Sequence, residues 1–321
     1  MESSLYEYET HPSASPSPDS GRVSRGSIQE LAVPTVTIVI CTRNRPSLLR
    51  QCLDAVSKLS PSPDEVLVVD NSTGDEGTKR AAQEFSAHYT IEPVPGLSRA
   101  RNRGLAESTT DAVAFLDDDA SPHVCWLRHI LEPFSDPLVA VVTGETIDID
   151  TDPADLRKKP ARVLTNRHPL WFETAAFGGL GIGTNMAMRK SAQPHFDIRL
   201  GRGTPIRTAE EDHAFISLLS RGYRAVHVPA AIVSHPSAPM NVEKAASSAM
   251  AYWLLLFFEV PGHKMDLLRF LARRLRSVPL SWERNPTDPG EIMKSRWTLK
   301  LRAGLRGVRL YLRSRKLRQA D

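Results

Sequence analysis

The chain has 321 residues, 41% hydrophobic and 24% charged, the balance of a soluble globular protein with room for one large or two modest domains. Three widely spaced cysteines, Cys41, Cys52 and Cys125, exclude a disulfide framework and a zinc pattern, and they sit most easily in a reducing cytoplasm. The net charge of +4 is mild, and the longest apolar run, 250–258, is under half of the roughly 20 residues a membrane span requires.

The amino terminus is rich in Ser, Pro and Glu and has no apolar stretch. Residues 1–33 are therefore expected to be a disordered tail rather than a signal peptide. The continuous β-branched run Val36-Thr-Ile-Val-Ile-Cys-Thr42 predicts a strand covered on both faces. Pro46 opens a helix with Leu48, Leu49, Cys52, Leu53, Val56 and Leu59 at helical spacing, and Pro61 and Pro63 end it. A second buried strand runs from Glu65 to Asp70, followed by a loop over 71–74. A helix over 78–87 and a short strand over 89–92 come next, then a helix from Ser98 to Glu107 after Pro95-Gly96. The strand that follows, Ala112 to Leu116, runs straight into Asp117-Asp118-Asp119.

Alternating strands and helices predict a parallel α/β sheet, and ligands bind such sheets at the carboxyl edge of the strands. The polar ends Thr42-Arg43-Asn44-Arg45, Asp70-Asn71 and Asp117 to Asp119 should converge there. No glycine-rich dinucleotide fingerprint follows the first strand and there is no Walker A loop, which disfavours nicotinamide binding and P-loop chemistry. The second half is less regular. Strands are expected within 139–149, a glycine-rich stretch spans 175–188, and Glu210-Glu211-Asp212 opens a helix through Leu219 that Gly222 ends. Two strands, 225–228 and 231–234, then lead to His235-Pro236.

Carboxylates crowded at the end of a buried strand repel one another unless a divalent cation or polar ligand takes up the charge. Asp117 and Asp119, two apart on an extended segment, can reach one side while Asp118 points elsewhere. Mg²⁺ or Mn²⁺ held there would neutralise a departing nucleoside diphosphate. Arg99 and Arg101 either add charge near that diphosphate or form a solvated basic helix face. Asp70 either accepts a hydrogen bond from a base or ribose or caps a turn with Asn71. Glu211 and Asp212 are either first-turn acids favoured by the helix dipole or a base for an acceptor hydroxyl. His235 is either a metal ligand or a turn residue before Pro236.

Taken in order, several segments resemble a family-2 glycosyltransferase of the GT-A fold. They are Val36 to Pro46, Val68-Val-Asp-Asn-Ser72, Gly96-Leu-Ser-Arg-Ala-Arg-Asn-Arg-Gly-Leu105, Phe115-Leu-Asp-Asp-Asp119 with Pro122 and Trp126-Leu127, Gly183-Thr-Asn-Met-Ala-Met-Arg189, Phe196 to Thr204, Glu211-Asp212 and Pro229 to His235. The resemblance covers residues 34–236 and implies a Rossmann-like, mostly parallel nucleotide-binding sheet flanked by helices. It implies an enzyme that transfers a sugar from a nucleoside diphosphate sugar to an acceptor hydroxyl by direct, inverting displacement. Asp70 would contact the base, Asp117 and Asp119 would form the metal and diphosphate site, and His235 would complete the metal shell. Asp212, with Glu211 as neighbour, would be the base. Thr42, Arg43, Arg45, Arg99, Arg101, Asn102 and Asp118 join Asp70 and Asp117 in the expected donor pocket. His213 stands where relatives more often carry an acid or an aromatic residue. The rival readings are a sugar-nucleotide pyrophosphorylase, for which residues 41–46 lack the glycine-rich basic loop, and a non-catalytic scaffold of the same fold.

Beyond 236 the chain turns helical, apolar and then basic, with no acid between Lys294 and Arg318. Residues 237–321 are expected to form a helical extension. Its basic helices either pack on the catalytic unit or lie on an anionic membrane, the latter suiting a lipid-linked acceptor and a location at the inner face. No nucleic acid partner is expected, because charge without a recognised module is poor evidence for one.

Overall fold

A computed structural model describes residues 33–148, 159–236, 241–260, 262–277 and 289–318; all but the last residue of the expected amino-terminal tail lies outside the described residues. The strands are β1 (Val36–Thr42), β2 (Glu65–Asp70), β3 (His88–Ile91), β4 (Ala112–Asp117), β5 (Ser121–Pro122), β6 (Val139–Ile147), β7 (Arg162–Leu164), β8 (Met186–Arg189) and β9 (Arg224–Ser234). The α-helices are α1 (Pro46–Ser57), α2 (Glu76–Glu84), α3 (Leu97–Glu107), α4 (Trp126–Leu131), α5 (Trp171–Ala176), α6 (Glu210–Ser220), α7 (Val242–Glu259), α8 (Lys264–Ser277) and α9 (Pro289–Arg318).

One nine-stranded sheet runs β3-β2-β1-β4-β8-β6-β9-β5, with β7 paired to β9. Its first four strands are parallel, β8 is antiparallel to both β4 and β6, and β6 and β9 are again parallel. Register sets up the site. Thr42 pairs with Asp70, and Cys41 with Asp117, so three strands finish at one edge.

The seven residues of β1 are all buried, as its unbroken β-branched run requires. Alternation divides them between two layers. Ile38 and Ile40 face Leu49 and Leu53 of α1, together with Trp126, Leu127 and Ile130 of α4. Val39 joins Phe115, Phe196, Phe215 of α6, and Tyr252, Leu255 and Leu256 of α7. The carboxyl-terminal helices thus contribute to the same core as the sheet.

Three sequence expectations change in detail. Helix α2 begins at Glu76 because the Asp75 carboxylate caps it, accepting from the Thr78 amide at 2.7 Å. Among the described residues of the 139–149 segment, which end at 148, there is one strand, not several. Residues 225–228 and 231–234 are one strand, not two. Pro229, which has no N–H to give, falls in a bulge where the pairing jumps from Gly144–Val228 to Glu145–Ile232. Gly144 is obligatory at that bulge, since a Cβ there would lie 1.9 Å from the Ala231 carbonyl oxygen. Asn185 closes the gap, donating to the Glu145 and Ala231 carbonyls at 2.8 and 2.9 Å while accepting from the Trp126 indole at 2.8 Å.

Among the described residues no helix is long and apolar enough to cross a membrane.

Candidate active site

The chain leaves β1 through Asn44, whose φ of 55° is left-handed, a conformation asparagine adopts at low cost. This turn aims Arg45 across at β4. Asp118 is fully buried; it accepts from the Thr42 hydroxyl at 2.5 Å and pairs with Arg45, which also reaches Asp119 at 3.1 Å. Burial pushes the Asp118 carboxyl up to about 6. The middle acid of the triplet is therefore an anchor under the loop, and Thr42 and Arg45 are its tethers.

Sinking Asp118 turns its two neighbours outward. Asp117, Asp119 and His235 offer ligand atoms that all lie within 4.8 Å of one another. His235 Nε2 stands 3.0 Å from Asp119 and 3.7 Å from Asp117. The His235 backbone is fixed by donation to the Ile147 carbonyl at 2.9 Å, and its contact with Asp119 holds that carboxyl down at about 2. Two carboxylates and an imidazole on one open face fit a divalent cation that keeps positions free for phosphate oxygens.

Beside this group lies a cavity of about 190 Å³ lined by Thr42, Arg43, Arg45, Asn71, Asp117 and Arg202. Arg202 was not singled out from the sequence; only the Arg- and Gly-rich character of 199–207 hinted at it. Its carbonyl accepts from the Leu97 amide at 2.9 Å, tying that loop to the start of α3. Asn71, expected at this edge from the sequence, lines the cavity and orders the loops around it. Its amide donates to the Glu92 and Val94 carbonyls, each at 2.9 Å, and accepts from the Gly96 amide at 2.8 Å.

Other expected donor residues are engaged elsewhere. Asp70 is fully buried, and its carboxylate accepts from Ser72, the Asp75 amide and Tyr89 at 2.7 to 2.8 Å. Asn102 exchanges two hydrogen bonds with the backbone of Phe196, at 2.8 and 2.9 Å. The stem of Arg99 lies beside Gly96. Arg101 is no solvated helix residue; it is 3% exposed, set against the rings of Phe115 and Phe196. Its guanidinium donates to Glu210 at 3.0 Å and stands 3.6 Å from Asp117. Gly183 makes room for it, because a Cβ there would meet the guanidinium at 2.6 Å.

Glu210 thus belongs to Arg101, and Glu211 and Asp212 face the glycine-rich segment. Glu211 accepts from the Gly183 amide and Asp212 from the Gly178 amide, both at 3.3 Å, while the second Glu211 oxygen is buried without a partner among the described residues. Burial, then the charges of Glu211 and Glu210, raises the Asp212 carboxyl well above its usual range. From α7, the Tyr252 ring meets His213 edge-on at 6.3 Å, and its buried hydroxyl also lacks a partner among the described residues. Behind α6 a larger cavity of about 360 Å³ is lined by His195, Asp197, Arg199, His213, Ser217 and Glu259. Arg199 there is held by Asp197 and Glu259.

A metal-competent group, an arginine-lined cavity and two carboxyls of raised pKa, the buried Glu210 and the half-buried Asp212, thus share the carboxyl edge of one sheet. Residues 37–194, just under half of the chain, match the glycosyl transferase family 2 model. Glycosyltransferase AglE of Haloferax volcanii is 37% identical over 120 residues, 35% of this chain and 39% of that protein. The probable glycosyltransferase YdaM of Bacillus subtilis is 26% identical over 269 residues, 78% of this chain and 59% of that protein. The chain therefore spans less than two thirds of the length of either relative. The fold is GT-A: a mannosyltransferase of Pyrobaculum calidifontis, PcManGT, solved with GDP-Man and Mn²⁺, superposes with a TM-score of 0.55 at 18% identity, covering 88% of each chain. Staphylococcus aureus TarS superposes with a TM-score of 0.53 at 16% identity, covering 76% of this chain and 44% of that one.

Proposed function

We propose that the protein is a metal-dependent, inverting glycosyltransferase that moves a sugar from a nucleoside diphosphate sugar to an acceptor hydroxyl. The observation that carries this reading is that Arg101 stands between Asp117 of the Asp117–Asp119–His235 group and Glu210, in the first turn of the helix that also carries the half-buried Glu211 and Asp212. Residues 34–236 form the transferase unit in this reading, and 237–321 an extension that shares its core.

The nucleotide fits the cavity beside Thr42 and Asn71, with Arg43 and Arg202 toward the diphosphate. Asp70 and Asn71 shape this pocket by ordering the loops around it. Asp117, Asp119 and His235 would hold Mg²⁺ or Mn²⁺, which when bound offsets the charge of the leaving diphosphate. Asp212 takes the acceptor proton, helped by a carboxyl pKa already raised by burial. The acceptor oxygen then forms its bond to the anomeric carbon as the carbon–phosphate oxygen bond breaks, the electron pair leaving with the nucleoside diphosphate. The transition state is positive on the sugar and negative on the phosphate, so acids on one side and a cationic pocket on the other both stabilise it. A lipid-linked acceptor would approach along the carboxyl-terminal helices.

Calorimetric titration with UDP, GDP and dTDP, with and without Mn²⁺, tests the donor half. Metal-dependent binding of one nucleotide is expected; binding of none by the folded protein would overturn the reading.

A further inference from the structure

Helix α9 is held in one rotational setting. Ala303, Gly307, Tyr311 and Ser314 are buried on its inner face, and at Gly307 a Cβ would lie 2.7 Å from the Met250 side chain of α7. Its outer face is consequently fixed, and it is apolar where solvent would call for polar residues. Leu305, Val308 and Leu312 are 57%, 43% and 52% exposed, and spacings of three and four put them in one stripe. Phe258 of α7, 59% exposed, stacks on Tyr311 at 6.0 Å and extends the apolar area across the helix seam.

Exposed cations border this stripe: Arg302, Arg306, Arg309, Arg313, Arg315 and Lys316. Arg306 and Arg315 face Glu243 and Glu259 of α7; the other four have no acidic partner among the described residues. The chain carries no acid between Glu291 and Asp321, so the charge along the helix is uncompensated from within.

We propose that α9 lies flat on an anionic lipid bilayer, with Leu305, Val308 and Leu312 at the acyl boundary and the arginines among the headgroups. Only this partner satisfies both halves of the surface. A nucleic acid would match the arginines and leave the leucines against phosphate. A second copy of the chain would cover the leucines and set arginine against arginine. A bilayer supplies an apolar layer beneath an anionic one, the arrangement that amphipathic interfacial helices use.

The test uses the whole protein and does not depend on enzymatic activity. Co-sedimentation is measured with vesicles of phosphatidylcholine alone and with an equal mixture of phosphatidylcholine and phosphatidylglycerol. Binding is expected only to the mixture, weakening with salt. The Leu305→Ser, Val308→Ser, Leu312→Ser triple variant should lose at least about tenfold in affinity, and each of Arg302→Gln, Arg309→Gln and Arg313→Gln about fivefold. Unchanged circular dichroism and nucleotide binding establish that the variants are folded. Absence of binding to the mixture, or binding indifferent to the triple substitution, would overturn the proposal. So would DNA binding in place of vesicle binding, or a dimer that the triple variant dissolves.

Discussion

Arg101 donates to Glu210 across 3.0 Å inside the protein, and the two residues come from helices more than 100 positions apart. The same guanidinium stands 3.6 Å from Asp117, so one buried cation serves the metal-site acid and the first turn of α6 together.

Removing that cation should be costly. Arg101→Met would leave Asp117, Glu210 and Glu211 facing one another at low dielectric, and a loss of about 3–5 kcal/mol in urea unfolding is expected. Adding Glu210→Met to this variant should restore much of the loss. Strictly additive losses would show that the pair is not coupled.

The acid cluster should make stability fall with rising pH. Burial first, then the charge of Glu211, raises the Glu210 carboxyl from 4.5 to about 8. A carboxyl with a higher pKa folded than unfolded favours the native state while it keeps its proton. That contribution is complete below 4.5 and is lost as pH climbs through 8. Asp212 acts in the same direction. Comparing unfolding at about pH 5.5 and about pH 8.5, wild type should lose on the order of 2–4 kcal/mol from these groups, and Glu210→Gln should flatten the slope.

Asp212→Asn keeps the shape of the site and removes its proton acceptor. Turnover should fall by about 10³-fold, with nucleotide affinity by calorimetry unchanged within about threefold. Glu211→Gln should be milder. Full turnover in the Asp212 variant would shift the base to another residue.

His235 should matter to the metal and little to folding, being partly exposed and at the end of β9. His235→Ala is expected to weaken Mn²⁺ binding, read by electron paramagnetic resonance of the free ion, by about 10–100-fold. The thermal midpoint without metal should move by only about 1–2 °C.

Gly144→Ala tests the bulge. Its new methyl would collide with the Ala231 carbonyl oxygen at 1.9 Å, a backbone atom that cannot swing away. Destabilisation of at least about 3 kcal/mol is expected, with the parallel pairing of β6 and β9 the first element to lose amide protection.

What the sequence disclosed and what it withheld divide along physical lines. Burial periodicity is local, so β1, β2, α1 and the acid-ended β4 were legible nearly to the residue. Asp117 and Asp119 share one side as expected, but through a turn rather than strand alternation: β4 ends at Asp117, and the Ala120 amide donates to the Asp117 carbonyl at 3.1 Å. Partners are not local. Asn102 is committed to the backbone of Phe196, Asn71 to the turn before α3, and Arg101 to Glu210, and no period records such pairings. Residues 225–228 and 231–234 read as two strands, and only the facing Gly144 reveals that a bulge at Pro229 joins them.

The core reaches past the family match. Tyr252, Leu255 and Leu256 of α7 and Tyr311 of α9 are buried with sheet residues such as Val39 and Phe115, so what reads as an appendage is a wall of the molecule. The smallest piece able to fold is thus longer than 37–194. A surface that captures the outer side of α9 would grip an element whose inner side closes the core. Lipid association and global unfolding should then be thermodynamically linked, and anionic vesicles should raise the melting temperature of the entire chain.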